Sequence, residues 1–562
     1  GAFIGASMGD ALGFITEFIR NRDDIRRLYR TEIIEDLTDW SRPTRVKGKL
    51  INLPLPRGTY SDDTQLTLAT ARGIAADGTF DVVSFSKLEL PLWLHYALGA
   101  GSGTKAAARN LCTPTTAWHS NFYSTKYSQY VNSGGNGAAM RILPIALVSS
   151  KNPDRRATDV WRNAVVTHGH LRGIMGAILF ADAIASLLDR PSSKFAWLDA
   201  LIDRSSSYDV ALPAVWSRVE EFHGWVSRWE AKVQQPFDQS LHITCVETTT
   251  QLQMVRKHIK DASHKEILSQ LGCYARSTKG AGNSTVAAAI LFLCRHQSIE
   301  EALVTVVNEI GIDTDTIGYF VGAMFGAYYG QANIPEHFAN GVRDEGYISA
   351  TSDWCYNVYI GTAETHNQFS YPTLGTVTIP KEGENLIDPA SALSAKVTIP
   401  VLGEGTIVLD EQISDPHQNE AIIWKEISLS LGQSIHLQLT SRWDQRGIKP
   451  RNERESVNNT KVDESVMNSL LALDQYKDRV ERSLFRGSVV LDVIRDMKFS
   501  KRDKALYNAF STWLWTAIPT RDDTLLNSET TTENVETPVE QLELPEMQSG
   551  EEPAPRIKTD EA

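Results

Sequence analysis

Residues 1 to about 365 place apolar side chains at the three- and four-residue spacing of amphipathic helices. The main helices that this spacing predicts are at 64–76, 82–99, 139–148, 171–188, 285–295, 299–309 and 316–329. Glycines and short polar clusters separate these segments, as is typical of turns between helices. The stretch 190–268 is more polar and rich in tryptophan, and we interpret it as a helical insertion.

Near residue 370 the pattern changes from helical spacing to the two-residue alternation of β-strands. The alternation is clearest at 376–379, 396–399 and 434–439. Short runs of this kind, separated by Gly and Pro turns, predict a β-rich accessory domain over 370–440. We expect this domain to lie apart from any active site, because the motifs described below end before it begins.

The remainder of the chain, after residue 440, has two parts. Residues 441–520 combine a basic linker with a return to helical spacing. The linker either contacts nucleic acid or an acidic protein, or is simply solvated, and solvation is the favoured interpretation. Residues 521–562 hold 12 acidic and 3 basic side chains, few aromatic residues and many Glu, Thr and Pro, a composition that predicts a disordered acidic tail.

The overall composition narrows the class of protein. The net charge is −13, of which the tail contributes −9, so charge says little about the partner of the folded part. Hydrophobic residues make up 42% of the chain and charged residues 22%, which is ordinary for globular domains. No apolar run approaches the ~20 residues of a transmembrane helix, so we predict no membrane span.

Two further features bear on location. Five scattered cysteines without a CxxC pair argue against a disulfide framework or a zinc ribbon and favour a reducing compartment. Residues 1–12 already have the pattern of a folded helix, and no signal peptide is visible there. We therefore predict a cytoplasmic location.

Three acidic motifs hold more carboxylates than core packing requires. They are Gly9-Asp10-Ala11-Leu12-Gly13 followed by Glu17, Ser61-Asp62-Asp63-Thr64, and Asp313-Thr314-Asp315-Thr316. The second and third each place two carboxylates and a hydroxyl just before an apolar helical run. Helix capping explains one acid in each motif. Two neighbouring acids repel each other unless a cation lies between them.

The ligand chemistry of these motifs favours a hard ion. Carboxylate and hydroxyl oxygens without His or Cys suit Mg²⁺ or Mn²⁺ better than zinc. Either motif alone is more typical of a helix cap, whereas the two together favour a site in which they share a pair of metal ions. The sequence does not place the two motifs side by side, so their meeting in space is a prediction.

Glycine-rich stretches supply a second kind of candidate chemistry. Residues 133–141 lead into a predicted helix, and residues 99–104 form another small-residue loop. Backbone amides ahead of a helix can bind phosphate, but glycine loops also serve as plain turns, and both interpretations stay open here. Glycines spaced by four from Gly318 to Gly330 indicate close helix packing. His168 is more typical of a packed or capping residue than of a zinc ligand.

Taken in this order, the motifs resemble those of the ADP-ribosylglycohydrolase family, which includes dinitrogenase-reductase-activating glycohydrolase and the ADP-ribosyl-acceptor hydrolases. The resemblance covers about residues 1–340 and is interrupted by the 190–268 insertion. It is carried by the three acidic motifs, by Gly135-Asn136-Gly137-Ala138-Ala139-Met140-Arg141 and by Thr167-His168.

The resemblance implies a mainly α fold, an all-helical bundle with a dinuclear metal centre, over residues 1–365. It implies two Mg²⁺ ions, with Mn²⁺ as the alternative, and these metal ligands: Ser61, Asp62, Asp63, Asp313, Asp315 and Thr316. It implies Glu17, Asp62 and Asp63 as catalytic residues, with Glu17 positioning or polarising the ribose or the water. It implies these substrate-binding residues: Gly135, Asn136, Gly137, Ala138 and His168.

The activity implied by the resemblance is Mg-dependent hydrolysis of the bond between ADP-ribose and a modified acceptor. Cleavage at the anomeric carbon builds positive charge on the ribose, which carboxylates stabilise. The expected substrate is an ADP-ribosylated protein or small molecule, and an ester or an ADP-ribosylated nucleic acid stays open; no membrane partner is expected. The other class is a non-catalytic ADP-ribose-binding or structural module, which we would expect to have lost acids that are all present here.

Overall fold

The computed structural model of the protein describes residues 1–46, 49–414 and 420–442. The predicted acidic tail and all but the first residues of the predicted linker and helical region lie outside them. The α-helices of the described part are α1 (Ala2–Phe14), α2 (Arg22–Tyr29), α3 (Asp62–Arg72), α4 (Val82–Ser84), α5 (Leu90–Trp93), α6 (Ser102–Leu111), α7 (Leu143–Val148), α8 (Pro153–Val165), α9 (Leu171–Leu187), α10 (Lys194–Ser205), α11 (Tyr208–Trp216), α12 (Glu220–Val233), α13 (Phe237–His258), α14 (His264–Gln270), α15 (Gly282–Arg295), α16 (Ile299–Val307), α17 (Thr314–Tyr329), α18 (Glu336–Ala339) and α19 (Glu345–Ile360).

This order of helices confirms the mainly α fold class. The segment 82–99 differs from its prediction, because a π-helical turn at Phe85–Glu89 separates α4 from α5 and the helix ends at Trp93. Pro91 explains the change of register, since a proline nitrogen cannot donate to the carbonyl four residues earlier. Helices α10 to α14 fill the 190–268 stretch and confirm its helical character.

Two rows of glycines bring α1 and α17 into backbone contact at the centre of the bundle. A Cβ built on Gly322 would lie 1.8 Å from the Gly5 carbonyl oxygen, and one on Gly9 would lie 2.0 Å from the Gly318 oxygen. No larger residue fits such an approach. The four-residue spacing therefore marks helix packing, as predicted, and it holds the loop after α1 beside the start of α17.

Tryptophans of the insertion anchor it to loops that surround the site described below. Trp225 donates from Nε1 to the Tyr130 hydroxyl at 2.8 Å, and Trp229 donates to the Gly169 carbonyl at 2.6 Å. The indole N–H of a buried tryptophan usually finds such a partner. The insertion thus fixes the segments just before the glycine loop and just after His168.

Two antiparallel β elements complete the described chain. Strands β1 (Trp40–Val46) and β2 (Lys49–Leu55) form a hairpin that the sequence analysis missed, and Pro43 and Pro54 explain why. Strands β3 (Lys396–Ile399), β4 (Gly403–Ser414), β5 (Glu420–Leu429) and β6 (Ser434–Arg442) form one sheet in the order β3-β4-β5-β6. The predicted strand at 376–379 is wrong, since this segment is a turn and a bend followed by irregular chain, without strand pairing.

The sheet packs directly against the helical region. Trp424 of β5 donates from Nε1 to the Pro54 carbonyl of β2 at 3.1 Å. All described residues belong to one compact unit. Within the described ranges, no helix is both long and apolar enough to cross a membrane.

Candidate active site

The first acidic pair lies at the start of α3. Ser61 is the N-cap residue: its Oγ accepts a hydrogen bond from the Asp63 amide at 3.2 Å and donates one to Asp63 Oδ2 at 3.0 Å. The serine thus performs the capping that an acid would otherwise perform. The Asp62 carboxylate and Asp63 Oδ1 are left available for other partners.

Asp10 of α1 is a second cap for the same helix, a role that the sequence analysis did not assign. Its Oδ1 accepts from the Ser61 amide at 2.9 Å, and its Oδ2 accepts from the Thr64 amide at 3.0 Å and the Thr64 hydroxyl at 2.6 Å. Burial raises the pKa of Asp10 to about 6. These bonds tie α1 to α3 and so place the turn that carries Glu17 beside the acid pair.

The second acidic motif lies at the start of α17. Asp313 is the N-cap residue, and its Oδ2 accepts from the side-chain amide of Asn136 at 2.9 Å. Asp315 Oδ1 accepts from the Thr316 amide at 2.9 Å. Asn136, which was predicted to bind substrate, therefore orients an acid.

The two motifs meet, as the sequence analysis predicted. Thr316 Oγ1 lies 3.4 Å from Asp63 Oδ2 across 253 residues of sequence. Carboxylate oxygens of Glu17, Asp313 and Asp315 all lie within 4.8 Å of one another. The starts of α3 and α17, which are far apart in the sequence, thus converge on one acidic cluster.

The electrostatics of the cluster are unfavourable for bare carboxylates. Burial raises the pKa of Glu17 to about 8 and that of Asp62 to about 7, and nearby acids add to both shifts. Burial and neighbouring carboxylates also raise the pKa values of Asp63 and Asp315 well above the usual range. Arg42 and other nearby cations offset only part of this effect.

Unpaired oxygens at the centre of the cluster show that its residues fit a cation. Glu17 Oε2 and Asp63 Oδ1 are buried without a hydrogen-bond partner. A buried anionic oxygen without a partner is costly, and a divalent cation would relieve both this cost and the mutual repulsion. The donors are carboxylates and hydroxyls, the set that hard cations prefer.

A cavity of about 750 Å³ connects the acids to the glycine loop and to His168. Its wall includes these predicted residues: Glu17, Asp62, Asp63, Gly135, Asn136, Gly137, His168, Asp313, Asp315 and Thr316. Ser61 and Ala138 are fully buried and are not part of the lining. The cavity also has lining residues that we had not singled out, Lys126, Tyr127 and Arg276 among them. These side chains follow no motif, so no signal in one sequence marks them.

The glycine loop differs from the predicted loop before an α-helix. Asn136–Arg141 is a 3-10 helix, and the Asn136 amide donates to the Gly280 carbonyl at 2.8 Å, so that amide is already occupied. A Cβ on Gly137 would lie 2.9 Å from both His168 Cε1 and Thr104 Oγ1. A Cβ on Gly135 would meet Gly280 O only at an ordinary 3.5 Å. Gly137 is therefore needed for packing, whereas Gly135 leaves room beside the cavity.

His168 is held in one protonation state. Thr167 Oγ1 accepts from Arg141 Nη2 at 2.8 Å and lies 2.7 Å from His168 Nδ1, so Nδ1 already has a hydrogen-bond partner within the protein. Burial, with the charge of Arg141 as a smaller cause, lowers the pKa of His168 to about 3. The neutral ring can therefore offer Nε2 for a hydrogen bond to a ligand in the cavity.

Comparison with known proteins identifies the relatives of this arrangement. Residues 1–365 match the family model described as ADP-ribosylglycohydrolase. The chain is 32% identical over 171 residues to ADP-ribosyl-[dinitrogen reductase] glycohydrolase of Rhodospirillum rubrum, a match that covers 30% of this chain and 51% of that protein. The chain thus spans about half the length of that relative.

Other relatives align over a longer stretch at lower identity. ADP-ribosylhydrolase ARH3 of Mus musculus is 26% identical over 352 residues, which are 60% of this chain and 85% of that protein. A solved structure titled ADP-ribosylglycohydrolase-related protein complex matches 64% of this chain and 96% of its own, with 21% identity and a TM-score of 0.40.

Proposed function

Because the chain belongs to the ADP-ribosylglycohydrolase family, and is in that respect a glycosidase-type hydrolase, we propose that it is a metal-dependent enzyme that removes ADP-ribose from a modified acceptor. The observation that carries this proposal is the convergence of Glu17, Asp313 and Asp315 within 4.8 Å beside the Asp62–Asp63 pair. A binding module has no need of so many buried, destabilising carboxylates in one cavity.

We propose that the ions are two Mg²⁺, with Mn²⁺ as the alternative. The residues that would hold them are Asp62, Asp63, Asp313, Asp315, Thr316 and Ser61. The Ser61 hydroxyl accepts one bond and donates one within the cap, which leaves a lone pair for a ligand. When bound, such ions would orient the ribose hydroxyls and lower the pKa of a water.

Carboxylates of the protein itself would stabilise the transition state. Ribose gains positive charge as the glycosidic bond breaks, and the Glu17, Asp62 and Asp63 carboxylates around it stabilise that charge. Asn136 holds Asp313 in its orientation through the 2.9 Å bond. Because outer contacts of this kind fix the geometry of the ligands, Asn136 acts as a positioning residue in this proposal.

The remainder of the cavity would hold the ADP part. His168 presents Nε2 for a hydrogen bond, and Gly135 lets the ligand approach the backbone closely. The names of the relatives suggest an ADP-ribosylated protein as substrate. A small ester and a modified nucleic acid are the alternatives, and the experiment below includes both. A cytoplasmic location is part of the same proposal.

The experiment that tests the proposal measures ADP-ribose release from four substrates. These are ADP-ribosylated arginine, serine and guanine, and O-acetyl-ADP-ribose, each with Mg²⁺, with Mn²⁺ and with a chelator. We expect metal-dependent release from at least one substrate. Folded protein that binds ADP-ribose but releases none from any substrate would instead be a binding module.

A further inference from the structure

The start of β6, which lies beyond the family-matched segment, is connected to both ends of α3. Gln433 Oε1 accepts a hydrogen bond at 2.8 Å from Arg72, the last residue of the helix. The Ser434 amide donates to Asp344 Oδ2 at 2.7 Å, and the same oxygen accepts from the Tyr60 hydroxyl at 2.7 Å. Tyr60 comes two residues before the acid pair at the start of the helix.

A buried ion pair fixes the far end of the helix. Arg72 donates to Glu89 from Nε at 2.7 Å and from Nη2 at 2.8 Å, and both side chains are almost fully buried. Glu89 Oε1 also accepts from the Tyr371 hydroxyl at 2.9 Å. Two of the partners, Tyr371 and Gln433, lie after residue 365. Such a buried network holds firmly only while every member is present.

Direct backbone contact couples Asp344 to the acid-bearing end. The Arg343 amide donates to the Gly58 carbonyl at 3.0 Å, and a Cβ on Gly58 would lie 2.0 Å from the Gly341 oxygen. The two loops therefore leave little space to shift independently. Asp344 itself has a left-handed backbone, with φ of 59°.

We infer that the C-terminal sheet braces the acid-bearing helix from both ends, and that Asp344 is the positioning residue that links β6 to the segment before Asp62 and Asp63. The inference rests on the proposed function only where metal binding or catalysis is the readout. Metal ligands tolerate displacements of a few tenths of an ångström. Loss of an outer contact that orients them typically weakens metal binding or activity by about 10- to 100-fold.

The test compares Asp344→Gly with Asp344→Asn. Both residues accept a left-handed backbone, but only Asn keeps an oxygen that can accept from Tyr60 and Ser434. The readouts are Mn²⁺ affinity, kcat and KM, and hydrogen–deuterium exchange of residues 58–66. For Asp344→Gly we expect about 10- to 100-fold weaker Mn²⁺ binding and lower kcat, with KM nearly unchanged and faster exchange at 58–66. Asp344→Asn should restore most of each quantity.

Two further variants separate bracing from general stability. Tyr60→Phe keeps the buried ring and removes only the hydroxyl, so it should reproduce the exchange change of Asp344→Gly even if that variant folds poorly. Val408→Ser is the matched control, because Val408 is an exposed residue of β4, 47% accessible. We expect the control to match the parent protein in all readouts.

The inference is overturned if folded Asp344→Gly and Tyr60→Phe both keep parental Mn²⁺ affinity and parental exchange at 58–66. It is also overturned if faster exchange is confined to the sheet. Failure of the proposed function looks different, because the parent protein itself would then neither bind Mn²⁺ nor release ADP-ribose. In that case the exchange of residues 58–66 still decides whether the brace exists.

Discussion

Glu17→Gln is expected to make the metal-free protein more stable at neutral and alkaline pH while it abolishes hydrolysis. Burial and the neighbouring Asp313 raise the pKa of Glu17 from an ordinary 4.5 to about 8. Between these two values the folded state binds a proton that the unfolded chain has released. Stability therefore falls as the pH rises through this window, and most of the loss is complete above pH 8.

The size of the effect follows from the two pKa values. Each pKa unit corresponds to about 1.4 kcal/mol, so ionised Glu17 costs the metal-free fold about 5 kcal/mol at pH 9. At pH 7 the cost is about 3 kcal/mol, and at pH 5 it is under about 1 kcal/mol. Glutamine cannot ionise and is nearly isosteric, so the variant should gain these amounts relative to the parent.

Urea unfolding in the presence of a chelator, at pH 5, 7 and 9, measures the difference. The two proteins should nearly coincide at pH 5 and diverge as the pH rises. Mg²⁺ should then stabilise the parent more than the variant at pH 7, because only the parent has a Glu17 carboxylate whose burial penalty a nearby cation would relieve. Binding to the folded state alone adds about 2.7 kcal/mol of stability at one hundred times the dissociation constant. Parallel pH profiles would show that Glu17 carries no burial penalty, and an absent response to Mg²⁺ would refute the cation site.

Two other predictions address the remaining parts of the cavity. Asp315→Asn keeps the oxygen that accepts from the Thr316 amide, so its circular dichroism spectrum should be unchanged. Its Mg-dependent ADP-ribose release should fall by at least about 10- to 100-fold. Unchanged turnover would remove Asp315 from the ligand set. Gly135→Val places its Cβ at ordinary contact distance from the protein, so it should fold and weaken ADP-ribose binding in calorimetry with Mn²⁺ affinity unchanged. Parental ADP-ribose affinity in folded Gly135→Val would make this loop a plain turn.

Much of the fold could be predicted from the sequence because helices and caps are encoded locally. Apolar spacing predicted 171–188 almost to the residue, where α9 runs from Leu171 to Leu187. The sequence also showed surplus carboxylates at two helix starts, because a helix cap needs one oxygen-bearing side chain and each motif has three or more. Ser61 is that cap in the structure. The glycine spacing likewise predicted close packing of α17, since backbone contact leaves no space for a Cβ.

Contacts between distant segments were decided only by the tertiary structure. Thr316 and Asp63 lie 253 residues apart, and no local pattern records their 3.4 Å approach. Asp10 is indistinguishable in sequence from a further ligand, yet its hydrogen bonds to Ser61 and Thr64 make it a cap. Strand pairing was missed or misplaced for the same reason, because alternation at 376–379 found no partner strand.

The role of the chain after residue 365 shows this division most clearly. Its change of pattern predicted a β-rich accessory domain. The strands at Lys396–Ile399 and Ser434–Arg442 lie where the alternation of apolar and polar residues predicted them. The sequence determined that β structure would form there, because alternation is a property of one strand. Only the fold determined that Gln433 and Ser434 face the two ends of α3, because a hydrogen bond between segments hundreds of residues apart depends on how the whole chain packs.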